Sequence, residues 1–370
     1  MRTDNLPAIV VVAYNRPASL SRLLRSLAGA DYSGYDGIEL VIGIDHSDEG
    51  QVARIARSFK WKAGPKRVIA REQTMGLRNH VLACGDLASE YTAIVLLEDD
   101  LVVAPGFYQY ALTALAFYRA DPAIAGISLY SFIYNEFANT PFGAIDDGND
   151  VYFLRSAVSW GQIWTAEQWI GFRHWFHANA GREIFAALPK AVREWPETSW
   201  KKYFNAYVEA TGKYFVVPRY ALSTNMGDVG THFGSVVTRF TAPLSLGRTC
   251  FRFAPLAESK CRYDAFFELE AACLKSLAPS VADFDLCVDL NGTKEPSQIG
   301  TKYVLTSRPT SGAVKSFGLR HLPAELNVIL EEPGDYFSVA PRGQLLEVSE
   351  PDLETKLEKM RYFFVPPLNR

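Results

Sequence analysis

Strand-like and helix-like segments alternate along the first 130 residues of this 370-residue chain. Short apolar runs typical of buried strands occur at Ala8–Ala13, Ile38–Ile44, Arg67–Ala70, Thr92–Leu97 and Ile124–Leu129. The segments between them are read as helices, covering residues 18–28, 49–59, 76–88 and 105–119. This alternation predicts an α/β fold built on a doubly wound, mostly parallel sheet.

The pattern of the sequence changes after about residue 240. Short runs at 284–290, 303–306, 326–330 and 336–339 predict strands, whereas 264–277 and 350–361 predict helices. We therefore expect two parts: a first domain over residues 1–240 that carries the parallel sheet, and a smaller mixed α+β region over residues 241–370 that could shape an acceptor site.

Composition excludes several classes of protein. Hydrophobic residues make up 48% and charged residues 21%, which is ordinary for a globular chain and argues against extensive disorder. The 38 Lys and Arg are balanced by 41 Asp and Glu, so we expect no nucleic-acid partner. The five cysteines form no CxxC pair, and no apolar run is long enough for a signal peptide or a membrane span. These features predict a reduced, cytoplasmic protein.

A basic segment stands out within the first domain. Residues 54–71 contain seven Lys and Arg and no acid, with two aromatic residues between them. A solvated helix face and turn is the simpler interpretation. The alternative is peripheral contact with the anionic inner face of a membrane, where a lipid-linked acceptor would be found.

Three consecutive acids, Glu98, Asp99 and Asp100, follow the fourth predicted strand. Carboxylates this close repel one another, so the arrangement costs free energy unless a cation neutralises it. Carboxylate and phosphate oxygens are ligands that suit Mg²⁺ and Mn²⁺. Because ligands of such sheets lie beyond the carboxyl ends of the strands, we expect Asp100 to share one edge with Asn15 and Asp45.

Several further segments occur together with this acidic one, in a specific order. Between residues 9 and 232 the chain contains VVAYNRPASLSRLLRSL, GIDHSD, GLRNHVLACGDL, LLEDDLVVAPGFY, SWGQIW, REWPETSW and GDVGTH. In order and spacing they resemble the GT-A-fold glycosyltransferases, above all the N-acetylglucosaminyltransferase I group and similar bacterial sugar transferases. The resemblance covers about six-tenths of the chain. It implies a GT-A catalytic domain over residues 1–240 that transfers a sugar from a nucleotide sugar, a UDP-sugar, to a hydroxyl group.

The resemblance also implies roles for individual residues. Asp100 matches the direct ligand of Mn²⁺ or Mg²⁺, and His232 matches a late histidine that approaches the metal or diphosphate. Asp45 matches the acid that accepts a hydrogen bond from the uracil ring. The residues implied to contact or support the rest of the donor are Ala13, Tyr14, Asn15, Arg16, Arg78, Asn79, Glu98, Asp99, Trp160 and Gly161. At this stage, structural roles stay open, such as a surface charge for Arg16 or a turn for Asp45.

The sequence departs from the family at the catalytic base. The eukaryotic enzymes carry two Asp after the tryptophan that matches Trp200, whereas this chain has Lys201-Lys202. A lysine of ordinary pKa cannot accept a proton near neutrality, so an inverting transfer needs another acid. Glu197, at a predicted helix start, is the predicted base, and Glu194 is the second candidate. Helix capping is the structural alternative for both.

The implied enzyme is a hexosyl- or N-acetylhexosaminyltransferase acting on a glycan or glycolipid in surface polysaccharide assembly. Two other functions stay open. A sugar nucleotidyltransferase would carry a Gly-rich, basic turn after the first strand, and AYNRP is not one. A non-catalytic protein that binds nucleotide sugars or glycans is favoured by the Lys201-Lys202 departure. GxGxxG after the first strand and GxxxxGK[ST] are both absent from the sequence.

Overall fold

The computed structural model describes residues 6–48, 50–228 and 237–347. Strands and helices alternate in its first part, as the sequence predicts. The elements are β1 (Ala8–Ala13), α1 (Pro17–Ala28), β2 (Leu40–Ile44), α2 (Gln51–Ser58), β3 (Lys66–Ala70), α3 (Leu77–Gly85), β4 (Ala93–Glu98), β5 (Leu101–Val103), α4 (Phe107–Tyr118) and β6 (Ile124–Ser128). A 3₁₀ turn at Asp86–Ser89 extends α3 towards β4.

The middle of the chain adds short strands and three helices. They are β7 (Tyr134–Asn135), β8 (Thr140–Pro141), β9 (Val151–Leu154), β10 (Gln162–Thr165), α5 (Ala166–Ala178), α6 (Lys190–Arg193), α7 (Trp200–Thr211), β11 (Tyr214–Pro218) and β12 (Ser223–Asn225). The last part holds β13 (Arg262–Tyr263), α8 (Ala271–Leu277), β14 (Leu286–Asp289), β15 (Tyr303–Thr306), β16 (Lys315–Phe317), α9 (Glu325–Ile329) and β17 (Phe337–Pro341). Three further 3₁₀ turns lie at Pro279–Val281, Pro296–Gln298 and Arg342–Gln344.

One large sheet organises the molecule, with the strand order β13-β9-β11-β6-β10-β4-β1-β2-β3. Strands β4, β1, β2 and β3 run parallel, while β10 is antiparallel to both of its neighbours. A separate four-stranded mixed sheet, β14-β15-β17-β16, forms from the C-terminal residues. This confirms the predicted α/β architecture, with a mostly parallel sheet and a smaller mixed region.

Helices cover both faces of the large sheet. Along β1, Ile9 and Val11 pack on the side of α1 and α4, whereas Val10 and Val12 pack on the side of α3, α5 and α7. All four side chains are buried, which explains why this strand reads as a continuous apolar run and not as an alternating one. Burial on both faces leaves only the ends of the parallel strands to present polar groups.

Two C-terminal predictions are wrong. Residues 326–330 were expected to form a strand, but they belong to helix α9, because the buried Asn327 side chain bonds backbone groups of His321 and Ala324 and folds the chain into a turn. The helix expected over 264–277 begins only at Ala271. Before it, the Asp264 carboxylate accepts hydrogen bonds from two backbone N–H groups and closes a turn.

The structure does not test two further sequence predictions, a C-terminal helix and a domain boundary. The helix expected over residues 350–361 lies outside the described residues. Strand β13 pairs with β9 of the large sheet, so residues beyond 240 join that sheet, and the boundary at 240 stays a prediction. Within the described ranges, no helix is long and apolar enough to cross a membrane.

The basic segment 54–71 is used in part inside the fold. The Lys66 ammonium donates to the backbone oxygens of Ala56 and Arg57 at 2.8 and 2.9 Å, which ties β3 to the end of α2. Arg67 pairs with Glu90 at 2.8 Å. Two of the seven basic residues therefore have structural roles, and membrane contact by this segment stays a prediction.

Candidate active site

The carboxyl ends of β1, β2 and β4 lie side by side. In the parallel register, Ala13 of β1 is opposite Ile44 of β2, and Val12 is opposite Glu98 of β4. The polar residues that follow each strand therefore meet at one edge of the sheet, as the sequence predicts. We refer to this place as the strand-end edge.

The three acids at the end of β4 differ in their environments. Asp99 is 2% exposed, and burial raises its pKa to about 6 against the opposing charge of Arg16. Burial, and next the charge of Asp100, also raise the pKa of Glu98 above its ordinary value, while Arg16 and Lys201 act against that rise. The edge thus concentrates negative charge in a poorly solvated place.

Arg16, which precedes α1, supplies a cation to these acids. Its Nη1 donates to Asp100 Oδ2 at 2.9 Å, and its Nη2 pairs with Asp99 Oδ1. Burial lowers the pKa of the guanidinium, but Asp100 and Asp99 more than offset it and hold that pKa above its ordinary value. The acids were expected to need a neutralising cation, and the guanidinium fills that role in this structure.

One acceptor atom at the strand-end edge is left over. Asp100 Oδ1 is buried and accepts no hydrogen bond from any residue that the structure describes. A buried carboxylate oxygen without a partner is costly, and a metal ion is one way to satisfy it. Among the described residues, no three His, Cys, Asp or Glu side chains are grouped so as to hold a metal. His232 lies outside the described residues.

Asp45 anchors the loop that leads into α3. It is buried, and its carboxylate accepts hydrogen bonds from the backbone N–H groups of His46, Met75 and Gly76 at 2.9, 2.8 and 2.9 Å. Gly76 has φ +76°, a conformation that favours glycine. Asp45 therefore fixes the N-terminal end of α3, whether or not it also reads a nucleobase.

The other residues predicted after β1 differ in exposure. Ala13 is buried in the strand, and its carbonyl oxygen accepts from the Asp45 N–H at 2.9 Å. Tyr14 and Asn15 are exposed in the turn that follows. The Tyr14 N–H donates to Asp99 Oδ2 at 3.4 Å. The turn thus runs directly past the acids and leaves two side chains free of the core.

Arg78 and Asn79 lie in the first turn of α3 but make different contacts. The Arg78 guanidinium donates to the Glu197 carbonyl oxygen and to the Tyr203 hydroxyl, the latter at 3.4 Å. The Asn79 side chain donates to the carbonyl oxygen of Met75 at 3.1 Å. Arg78 therefore links α3 to the segment before α7, while Asn79 makes a local bond within its own turn.

Glu197, the predicted base, has both carboxylate oxygens engaged. Oε1 accepts from the Lys202 ammonium at 2.7 Å, and Oε2 accepts from the Tyr203 hydroxyl. These hydrogen bonds lower the pKa of Glu197, whose side chain is 64% exposed. Glu194, the second candidate, is also exposed and lies 4.0 Å from Lys190.

Lys201 lies close to the strand-end edge. Its ammonium pairs with Glu136 Oε1 at 2.7 Å and lies 5.3 and 5.1 Å from the ring centroids of Trp160 and Trp195. The side chain is buried, and its charge is near enough to counter the raised pKa of Glu98. Sequence reasoning missed Glu136, because it is 65 residues from its partner and belongs to none of the recognised motifs.

Trp160 and Gly161 precede β10 at the same edge. Gln162 is opposite Leu96 in the antiparallel register, so Trp160 and Gly161 lie just beyond that pairing, towards the carboxyl end of β4. Gly161 has φ +94°, and a Cβ there would lie 2.7 Å from the Ser223 hydroxyl oxygen. The backbone conformation and the contact with Ser223 therefore favour glycine at this position even without a bound ligand.

Part of the chain is similar to a known protein family. Residues 8–158 match the family model described as Glycosyl transferase family 2. A solved structure similar to the chain is mannosyltransferase PcManGT from Pyrobaculum calidifontis, in complex with GDP-Man and Mn²⁺, with 14% identity and a TM-score of 0.36 over 58% of this chain and 56% of that one.

Two further solved structures show a similar level of likeness. For S. aureus TarS 1-349 the identity is 13% and the TM-score 0.37, over 59% of this chain and 60% of that one. For GalNAc-T7 with UDP, GalNAc and Mn²⁺ the identity is 13% and the TM-score 0.40, over 58% of this chain and 43% of that one. The chain thus spans less than two thirds of each of these structures, and no curated protein matches it in sequence. Residues 8–158, which include β1, β2, β4 and their polar ends, are therefore the part of the chain that is similar to glycosyl transferase family 2.

Proposed function

We propose that this chain is a metal-dependent glycosyltransferase. It moves a sugar from a nucleoside diphosphate sugar, a UDP-sugar, to a hydroxyl of a glycan or glycolipid, with inversion at the anomeric carbon. One observation carries the proposal: Arg16 faces the buried Asp99 and the partly buried Asp100 at the strand-end edge, and one oxygen of Asp100 has no partner among the described residues. This arrangement falls within the segment similar to glycosyl transferase family 2.

The donor atoms at this edge fit a divalent cation. Mn²⁺ and Mg²⁺ prefer carboxylate, phosphate and water oxygens, and Asp100 Oδ1 is an available carboxylate oxygen. Such an ion would offset the charge that develops on the diphosphate leaving group. Phosphate oxygens and water would complete the set, together with His232 if the sequence prediction for that residue is right.

The remaining residues of the edge bind and orient the donor in this proposal. Arg16 donates to phosphate, for which its planar guanidinium is suited. Asp45 accepts from the nucleobase, in addition to its three backbone hydrogen bonds. Trp160 and Gly161 lie beside the transferred sugar, where the missing side chain of glycine permits a close approach.

Inverting transfer also needs a group that accepts the proton of the attacking hydroxyl. Glu197 and Glu194 stay the candidates predicted from sequence. The geometry weighs against Glu197, because both of its oxygens are engaged and its pKa is lowered. A carboxylate in that state accepts a further proton less readily than an ordinary one.

The proposal is tested by donor binding. Thermal unfolding is followed with UDP-glucose, UDP-N-acetylglucosamine and GDP-mannose, each with and without Mn²⁺. We expect one UDP-sugar to raise Tm only with the metal, since a ligand at 100 times its Kd adds about 2.7 kcal/mol to the free energy of unfolding. Asp100→Asn should abolish this metal-dependent shift, and the control Glu90→Gln, an exposed acid on the loop before β4, should keep it.

Other outcomes identify the alternatives. Attack of an added sugar phosphate on a nucleoside triphosphate, with release of pyrophosphate from the triphosphate, would indicate a nucleotidyltransferase. Metal-dependent binding without transfer or hydrolysis would indicate a binding protein. A shift that Asp100→Asn leaves unchanged would contradict the assignment of the metal. The choice between hexose and N-acetylhexosamine, a polysaccharide acceptor and a cytoplasmic location stay predictions.

A further inference from the structure

A buried ion pair lies beside the strand-end edge and has no role in the donor site described above. Lys201 is 7% exposed, and its ammonium is 2.7 Å from Glu136 Oε1. A buried ammonium is costly to desolvate unless a partner compensates for it. Each charge therefore compensates the other, and the hydrogen bond from Lys201 fixes the position of the Glu136 carboxylate.

Glu136 comes from a rigid turn between β7 and β8. The neighbouring Asn135 is 1% exposed. Its Oδ1 accepts from the N–H groups of Phe137 and Ala138 at 2.9 and 3.2 Å, and its Nδ2 donates to the Phe266 carbonyl oxygen. The backbone on both sides of Glu136 is thereby fixed, which suits a group that must be positioned before the reaction.

One oxygen of Glu136 remains available. Oε1 is bonded to Lys201, whereas no described residue donates a hydrogen bond to Oε2. The side chain as a whole is 16% exposed. A polar ligand can reach Oε2 without breaking the pair.

Lys201 also connects Glu136 to the strand-end edge. Its ammonium lies 5.3 Å from the Trp160 ring centroid, and Trp160 precedes β10, whose first residue Gln162 is opposite Leu96 of β4. Its charge acts on Glu98 against the burial that raises the pKa of that acid. Lys201 therefore pairs directly with Glu136 and acts electrostatically on Glu98, which brings Glu136 into the neighbourhood of the β4 acids.

We propose that Glu136 is the general base of the transfer and that Lys201 is its positioning residue, an inference that rests on the proposed glycosyltransferase function. Glu136 Oε2 takes the proton of the acceptor hydroxyl as the O–H bond breaks. The hydroxyl oxygen forms a bond to the anomeric carbon. The bond from that carbon to the diphosphate oxygen breaks, and its electron pair leaves with the nucleoside diphosphate.

Glu197 offers a close comparison within the same protein. It too pairs with a lysine at 2.7 Å, but its side chain is 64% exposed and its second oxygen is bonded to Tyr203. Glu136 differs in both respects, with a mostly buried side chain and an oxygen that accepts no hydrogen bond from the described residues. Because the two Lys–Glu pairs have the same distance, the activities of the Glu136 and Glu197 variants can show which glutamate is the base.

The test uses the full-length chain with Mn²⁺ and the UDP-sugar found by the donor panel, and it measures release of UDP with water as the acceptor. Glu136→Gln is expected to lower turnover by about 10²–10⁴-fold, the usual contribution of a general base. Donor affinity, measured by calorimetry, should stay within about twofold. Glu197→Gln should lower turnover by less than about tenfold, and Glu295→Gln, an ion-paired glutamate in the C-terminal region, should not change it.

Further variants separate catalysis from folding. Glu136→Gln with Lys201→Gln removes both charges and so leaves no unpaired ammonium; it should be as inactive as Glu136→Gln alone, with donor binding intact. Lys201→Met should lower kcat and leave KM for the donor unchanged, and Lys201→Arg, which keeps a cation beside Glu136, should restore much of kcat. Restoration by the conservative variant would not be expected if Lys201 only filled space.

The outcomes that overturn the assignment are distinct from failure of the proposed function. If the folded Glu136→Gln variant keeps near-normal turnover, Glu136 is not the base, whatever Glu197→Gln does. If donor affinity falls with turnover in that variant, Glu136 binds the donor and the assignment is equally wrong. If the wild-type chain neither binds nor hydrolyses any UDP-sugar with Mn²⁺, the proposed function fails, and this inference fails with it.

Discussion

Replacing Arg16 with methionine removes the cation between a buried acid, Asp99, and a partly buried one, Asp100, while keeping most of the apolar stem of the side chain. In the wild type, Nη1 of Arg16 is 2.9 Å from Asp100, and Nη2 contacts Asp99, which is 2% exposed. Breaking a buried ion pair costs about 3–5 kcal/mol. Because a quarter of the Arg16 side chain is exposed, solvent screening reduces the expected cost to about 2–4 kcal/mol. The corresponding fall in Tm at pH 8 is roughly 3–5 °C for a chain of this length.

The stability lost in Arg16→Met should depend on pH, because Asp99 changes its charge within the accessible range. Burial raises the pKa of Asp99 to about 6 in the folded protein, against 3.8 for an ordinary Asp. The folded state therefore binds its proton more tightly, and stability falls as pH rises from about 4 to 6. Arg16 opposes this rise in pKa, so its removal extends the fall to higher pH. The deficit of Arg16→Met relative to wild type should be small at pH 5 and largest at pH 8.

Arg22→Met is the matched control on the same helix. Arg22 pairs with Asp228, and hydrogen bonds from Arg22 and Ser19 hold the pKa of Asp228 below its ordinary value despite partial burial. A lowered acid pKa stabilises the fold above the unfolded pKa, and that stability is lost only at lower pH. The deficit of Arg22→Met should therefore be constant from pH 5 to pH 8. Thermal unfolding of the three proteins across this range is the assay. A deficit of Arg16→Met that is equal at pH 5 and pH 8 would refute the reasoning.

Two further predictions concern buried carboxylates. Asp45→Ala should weaken UDP binding more than pyrophosphate binding, by about 1.5–3 kcal/mol for one charge-assisted hydrogen bond, as measured by calorimetry with Mn²⁺; equal losses would mean that Asp45 does not read the base. Glu325 is 5% exposed, and burial raises its pKa to about 7, so wild-type stability should fall between about pH 4.5 and 7. The free energy of unfolding of Glu325→Gln should exceed that of wild type by up to about 3 kcal/mol over that range. Replacing the exposed Glu331 with Gln should not change it. Urea titrations of the three proteins measure both effects.

The parallel part of the sheet could be predicted because its signals are local. A strand buried on both faces is a short continuous apolar run, and β1 begins and ends where the sequence predicts. Strands β2 and β4 differ from their predictions by two residues or fewer at each end. Parallel pairing then brings Ala13 level with Ile44, so the shared edge follows from the pattern alone.

The ionic partners at that edge could not be predicted in the same way. Arg16 is more than 80 residues from the acids it contacts, and Lys201 is 65 residues from Glu136. Neither pair has a periodic or local signal, because each depends on how segments that are distant in sequence meet in space. Three adjacent acids predict mutual repulsion and a metal ion that relieves it, whereas in the structure Arg16 already relieves it in part.

The charges at the edge explain why a divalent cation is still expected. Four carboxylates and two cations lie close together there: Glu98, Asp99, Asp100, Glu136, Arg16 and Lys201. Even with Glu98 protonated, the acids outnumber the cations by one. A diphosphate brings further negative charge into a poorly solvated place, where repulsion is strong. Arg16 cannot neutralise the acids and the diphosphate together, so donor binding should need an added positive charge, and equal affinity for UDP with and without Mn²⁺ would show this balance to be wrong.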